Sequence, residues 1–168
     1  MAATPDALFR RLDTLGIRHV TRHHPPVHTV TEAAALTLPG AQCKCLFLRD
    51  RKGGLWLVAA LADRPIDLKA LAERLAAPRF SFASPALLQE ALGVAPGSVT
   101  PFALLNDRER RVRVVLDAGM LTVDPLNFHP LVNTASTALS PGDLRRFIND
   151  CGHTPLIVDL AGLERGAG

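Results

Sequence analysis

Apolar positions along this chain switch between two spacings, and a capping or turn residue marks most of the switches. Leu8, Leu12 and Leu15 recur at helical intervals behind Thr4-Pro5-Asp6, which supplies an N-cap, a first-turn proline and an acid near the positive helix end. Gly16 stops that helix. Ile17 to His23 reads as a strand broken by Pro25-Pro26, and Thr29-x-x-Glu32 as a capping box opening a short helix to Leu36, before Pro39-Gly40. Two apolar runs, Cys43 to Arg49 and Leu55 to Leu61, flank Asp50-Arg-Lys-Gly-Gly54, a linker of hairpin composition, and predict two antiparallel strands. Asp67 caps a helix with Leu68, Leu71 and Leu75 on one face, and Arg79 to Phe82 reads as a short strand. Ser84-Pro85 starts a further helix that turns Leu87, Leu88, Ala91 and Leu92 inward and ends at Gly93.

Beyond a loop from Pro96 to Pro101, strands are expected at Phe102 to Leu105, Val112 to Leu116, Met120 to Val123 and His129 to Thr134. Ser140-Pro141 opens a last helix through Asn149, ended by Gly152; Pro155 to Leu160 reads as an edge strand, and the chain frays from Glu164. Helices at both ends of mostly hairpin-connected strands predict an α+β fold rather than a doubly wound parallel sheet.

Composition narrows the class. The 168 residues, 48% hydrophobic and 21% charged, fit one domain over 1–168 with a sizeable core. The longest apolar run, around Leu55 to Ala62, is too short to span a bilayer, and Met1 to Leu15 is amphipathic rather than a signal peptide, so the cytosol is the expected location. A net charge of +3 permits a polyanionic partner without specifying one, because the basic residues are scattered except over Arg108-Glu-Arg-Arg-Val-Arg113. Cys43, Cys45 and Cys151 are an odd number; the first two share a strand face, where they serve as small apolar groups rather than as a disulfide framework.

Candidate chemistry is sparse. Lys44 lies in an apolar strand, on the side of Leu46 and Leu48, where its amine must snorkel outward, find an anion or lose its charge. A protonated amine is no general base; it suits holding a phosphate or polarising a carbonyl. The bend from Gly97 to Pro101 is either a plain helix-to-strand connection or an oxyanion cradle, in which glycine admits substrate to free peptide N–H groups and proline keeps the bend rigid. In Asn127-Phe-His-Pro-Leu-Val-Asn133, His129 and Asn133 are four apart and share a face if the strand is regular, while Pro130 argues for an edge or irregular strand. His23, His24 and His28 lack the ligand spacing of a zinc site, and no metal or cofactor is expected.

An ordered set of segments carries a resemblance. It runs from His28-Thr-Val-Thr-Glu-Ala33 through Cys43-Lys-Cys-Leu-Phe-Leu48, Asp67-Leu-Lys-Ala-Leu71, Phe82-Ala-Ser84, Gly97-Ser-Val-Thr-Pro-Phe-Ala-Leu-Leu-Asn-Asp107 and Val114-Val-Leu-Asp117 to Phe128-His-Pro-Leu-Val-Asn133. Together they resemble the YbaK/ProX family, homologous to the editing insertion domain of bacterial prolyl-tRNA synthetase. The long Gly-Ser-Val-Thr-Pro-Phe loop with a downstream Phe-His-Pro is similar to the branch that deacylates alanine mischarged on proline tRNA. Ala103 departs from the glycine of many relatives.

The resemblance implies a mixed, mostly antiparallel curved sheet, a partial barrel surrounded by helices, and a cleft between Lys44 and the Gly97–Pro101 loop. It implies catalytic roles for Lys44, Gly97 and Ser98. Substrate contacts are implied for Thr29, Val99, Thr100, Pro101, Asn106, His129 and Asn133, and tRNA contacts for Lys52 and Arg79. The implied substrate is alanyl-tRNA(Pro), met in trans by a monomer, with prolyl-tRNA synthetase as a candidate partner. A deacylase for cysteine or serine, or a catalytically silent tRNA- or synthetase-binding module, are the alternatives. No protein nucleophile is needed, since an aminoacyl ester is already activated.

Overall fold

Each of the four α-helices described below begins where a short polar side chain takes up one of its unpaired first-turn amides. The computed structural model describes residues 2–26, 32, 36 and 38–164. Helix α1 (Pro5–Thr14) is capped by the Thr4 hydroxyl, which accepts from the Ala7 N–H. Asp67 caps α2 (Leu68–Arg74), Ser84 caps α3 (Pro85–Leu92) and Ser140 caps α4 (Pro141–Asp150), each accepting an amide 3.0–3.1 Å away. Such caps contribute about 1 kcal/mol each, which is why the polar-to-apolar switches in the sequence locate these helices well.

The strands are β1 (Val20–His23), β2 (Ala41–Asp50), β3 (Leu55–Leu61), β4 (Phe80–Phe82), β5 (Val112–Asp117), β6 (Leu126–Phe128), β7 (Ala135–Leu139) and β8 (Leu156–Val158). They form one curved, non-closed mixed sheet in the order β1-β7-β6-β2-β3-β5-β8, with β4 branching from β2. Antiparallel pairing joins β1 to β7, β2 to β3, β2 to β4 and β6 to β7; β2–β6, β3–β5 and β5–β8 are parallel. The expected α+β class and curved, mostly antiparallel sheet therefore hold.

Strand β3 is the middle of the molecule, buried on both faces from Leu55 to Ala60. Alternation sends Leu55, Leu57 and Ala59 into one apolar cluster with Leu8 and Leu12 of α1, Leu92 of α3 and Phe147 of α4. Trp56, Val58 and Ala60 enter a second cluster with Leu48, Leu71 of α2, Phe80 and Leu160. Strand β2 divides the same way: Cys43, Cys45 and Phe47 face the first cluster, Leu46 and Leu48 the second.

Three expected strands are something else. Pro101–Asn106 is a 3₁₀ helix: the Thr100 hydroxyl accepts from the Phe102 N–H, Pro101 fixes the first turn, and Pro101 to Leu104 are all buried. Burial on every side erases the alternation that separates strand from helix. Met120–Thr122 is likewise 3₁₀, folded back by Thr122 Oγ1 donating to the Gly119 carbonyl at 2.7 Å. Residues 129–134 are the connection between β6 and β7, with Leu131 at φ +71°, so His129 and Asn133 do not sit on a strand face. The capping box at Thr29 and the short helix expected after it lie outside the described residues.

One feature of β2 positions the site. It pairs with β6 only at Ala41 and Gln42, and with β4 only from Leu48 to Asp50. Among the described residues, no strand pairs with residues 43–46 on that side. Gly40 fixes where the opening begins: its φ is +78°, and a Cβ there would lie 2.0 Å from the Pro125 carbonyl oxygen, which accepts the Ala41 N–H. The buried Asn127 amide then donates to the carbonyls of Pro39 and Ala41, at 2.7 and 3.1 Å.

Candidate active site

Because β6 runs parallel to β2, the chain leaving Phe128 peels away beside the open stretch of β2. The His129–Thr134 connection follows directly, and it meets the Gly97 bend. Gly97 is exposed, adopts φ +90°, and has Nδ2 of Asn133 3.4 Å from where its Cβ would be. Any side chain there would strain the backbone and press on Asn133.

The bend is held from both sides. Ser98 is buried and donates its N–H to Ala95 O at 3.0 Å, Thr100 is fully buried, and Val99 packs on the first cluster. Among the described residues, the N–H groups of Gly97 and Val99 have no hydrogen-bond partner. Two rigidly mounted amides at an exposed glycine form the kind of cradle expected for a carbonyl that gains negative charge.

His129 is half-buried, and its Nδ1 lies 3.0 Å from the Ala135 carbonyl. A carbonyl only accepts, so Nδ1 carries the proton and Nε2 is left as an acceptor. Burial pushes the His129 pKa below its usual 6.5, opposed by the Ala135 contact and reinforced by His24. The His24 ring is tilted against His129 at 6.2 Å and is itself fixed by the Pro25 carbonyl and the Ser136 hydroxyl, both at 2.8 Å. Sequence reasoning considered His24 only as a metal ligand; its packing against His129 links residues more than a hundred apart and leaves no local signal. Among the described residues, no group of three or more potential ligands could hold a metal ion.

Lys44 emerges in the open stretch of β2 but on the other face from Cys43 and Cys45. Its amine donates to the Arg64 carbonyl, and partial burial lowers its pKa from 10.5, with Asp63 opposing the change. Behind it the Arg64 guanidinium lies 2.7 Å from the buried Asp117, whose other oxygen accepts from the Gly119 and Leu160 N–H groups. The structure thus brings Gly97 and Asn133 together and places Lys44 on the face of β2 away from the cluster on which Val99 packs. No hydrogen bond or ion pair among the described residues joins Lys44 to the bend.

The remaining expected site residues scatter. Both ends of the Asn106 amide are engaged, donating to Leu92 O and accepting from Ala3 N at 2.8 Å each, so Asn106 ties α3 to the N-terminal segment. Lys52 is exposed in the β2–β3 turn, and Arg79 is exposed beside Phe80. Thr29 lies outside the described residues. Burial pushes the Cys43 thiol up to about 12 and raises Cys45 as well, which leaves both as packing groups rather than nucleophiles.

The aminoacyl-tRNA editing domain model matches residues 24–147, which include β2, the Gly97 bend, His129 and Asn133. The chain belongs to that family. Similar members include the prolyl-tRNA editing protein ProX of Acetoanaerobium sticklandii, 36% identical over 92% of this chain and 96% of its own length. The prolyl-tRNA synthetase associated domain-containing protein 1 of Bos taurus is 41% identical over 92% of this chain and 94% of its own. A crystal structure of a candidate trans-editing enzyme for prolyl tRNA synthetase superposes with TM-score 0.70 at 20% identity, covering 99% of this chain and all of that one. At the level of the aminoacyl-tRNA editing family the activity is deacylation, an ester hydrolysis, and the chain is an enzyme of that class. Among the described residues, no helix is long and apolar enough to cross a membrane.

Proposed function

We propose that this editing-family chain hydrolyses the ester of alanyl-tRNA(Pro) in trans and spares prolyl-tRNA(Pro). The observation that carries this reading is the meeting of Gly97 with Asn133 beside the open stretch of β2. The Gly97 and Val99 amides receive the ester carbonyl as it gains charge, and water supplies the attacking oxygen. The amino-acid side chain enters against the partly exposed Val99, which the buried Thr100 and Pro101 hold from behind. Asn133 and Nε2 of His129 accept or orient the α-amino group. Ser98 acts by fixing the turn through its bond to Ala95 O.

Lys44 belongs to a later part of the substrate. Its position on the far face of β2 favours a phosphate of the tRNA 3′ end, reached round the open edge, over the ester carbonyl. Lys52 and Arg79 meet the acceptor stem. Selection by size fits this division of labour: a first site that must hold proline cannot strongly exclude alanine, because a missing methylene costs only about 1–3 kcal/mol, whereas a second site closed to the proline ring rejects it by overlap.

A single-turnover panel of alanyl-, cysteinyl-, seryl- and prolyl-tRNA(Pro) tests the reading. Alanyl-tRNA should be cleaved fastest and prolyl-tRNA should persist. Equal cleavage of alanyl- and prolyl-tRNA would refute the size argument, and a faster cysteinyl or seryl ester would reassign the substrate.

A further inference from the structure

The arginine-rich run Arg108–Arg113 is divided by the fold. Arg111 pairs with Glu90 at 3.3 Å, and Arg113 lies over the Trp56 ring at 5.1 Å. Arg108 and Arg110 make no ion pair or hydrogen bond through their side chains among the described residues. Both line a half-open cavity of about 510 Å³ between the end of the Pro101–Asn106 3₁₀ helix, the start of α1 and the end of α4.

The acids of this cavity are already engaged. Asp150 is 2.6 Å from Arg11, and Asp107 accepts from the Arg111 and Val112 amides at 3.0 Å and faces buried His153 at 2.8 Å. Glu109 lies between the two arginines in sequence and is exposed. Arg110 is held at φ +56°, a backbone region uncommon outside glycine, with its guanidinium over Gly152: a Cβ on Gly152 would lie 2.7 Å from Nε. The chain adopts an unfavourable backbone to present this cation and gives it no acid.

Position adds the second argument. Val112 is paired with Leu55, so the segment before β5 lies beside the β2–β3 turn that carries Lys52. Adjacent strands are about 4.8 Å apart, so Lys52 and the Arg108–Arg110 segment lie at the same end of the sheet. A phosphodiester backbone matches a row of unpaired guanidinium groups, each able to grip a phosphate through two N–H groups.

We infer that the Arg108–Arg110 cavity is a second phosphate site, occupied by the sugar-phosphate backbone of the tRNA away from its aminoacylated end. This rests on the reading of the substrate as a tRNA.

The experiment titrates uncharged tRNA(Pro) against the wild-type chain and the double variant Arg108→Ala/Arg110→Ala over a series of salt concentrations. Arg145→Ala, an exposed arginine on α4, serves as a control for charge lost elsewhere. The double variant should bind about tenfold more weakly, and the slope of log affinity against log salt should fall by about 1–2, as expected for one or two lost phosphate contacts. The Arg145 variant should keep the wild-type slope. Unchanged affinity and slope in the double variant overturn the site, as does an equal loss in the Arg145 variant. Inorganic phosphate and a mononucleotide provide the other arm: protection of the cavity by either at micromolar concentration, with tRNA binding unaltered, would make a small anion the occupant and overturn the assignment to RNA. Binding is read without catalysis, so failure of wild-type protein to cleave alanyl-tRNA would count against the proposed function and leave this test intact.

Discussion

The two faces of β2 treat their polar groups in opposite ways. On the Lys44 face each polar group has a partner: the amine donates to the Arg64 carbonyl, the guanidinium faces Asp117, and that carboxylate accepts two backbone amides. On the Gly97 side the backbone is equally well anchored, yet among the described residues the amides of Gly97 and Val99 and the Nε2 of His129 are left over. Compensated charge next to a core reads as support; unspent hydrogen-bonding capacity on a rigid mount reads as a place for something else to bind.

Breaking the supporting side should show first in stability. Asp117→Ala removes a fully buried carboxylate and strands Arg64, and should cost about 3 kcal/mol, measured by denaturant unfolding. A midpoint unchanged within error would mean that the buried pair contributes nothing. Disturbing the other side should show in rate. Gly97→Val forces a branched side chain into φ +90° and should slow alanyl-tRNA deacylation about a hundredfold, the scale of a lost oxyanion donor, beyond the stability loss of about 1–3 kcal/mol that the backbone strain brings. Lys44→Ala lies between the two: about a tenfold lower rate through one lost electrostatic contact, and a small stability change because the amine is only partly buried. An unchanged rate would remove Lys44 from substrate binding.

The smallest effect is a pH dependence. His129 has its pKa below 6.5, so it is neutral at pH 7 and charges only as pH falls under that value. The unfolded chain takes up this proton first on acidification, so stability declines as pH falls below about 6.5 and levels off beneath the folded-state pKa. Activity should follow the neutral form and fall with a midpoint under 6.5, and His129→Gln should abolish that inflection while lowering the plateau less than tenfold. An inflection that survives in the variant would assign the titration to another group.

What was legible in the sequence tracks how local its cause is. The caps at Thr4, Asp67, Ser84 and Ser140 depend on neighbours three residues away, and these helices begin where expected. The hairpin of β2 and β3 and the side taken by Lys44 follow from alternation with a period of two. The 3₁₀ segment at Pro101 looks like a strand in the sequence because a segment buried all round shows no period, and the one at Met120, three residues long, is too short to show any. The His129–Thr134 connection looks like a strand in the sequence because nothing in Pro130-Leu131 announces a left-handed leucine. Hardest to read was the contact of Gly97 with Asn133, which joins two loops through the sheet order; the family resemblance, rather than periodicity, placed both residues in one cleft.

The opening in β2 has a consequence beyond substrate access. Among the described residues this length of strand has no lateral neighbour, and such a length is a template for an added extended polypeptide, which proteins commonly guard with lysine. Lys44 stands in the middle of this one. Its replacement by an apolar residue would therefore remove a barrier to self-association as well as a cation.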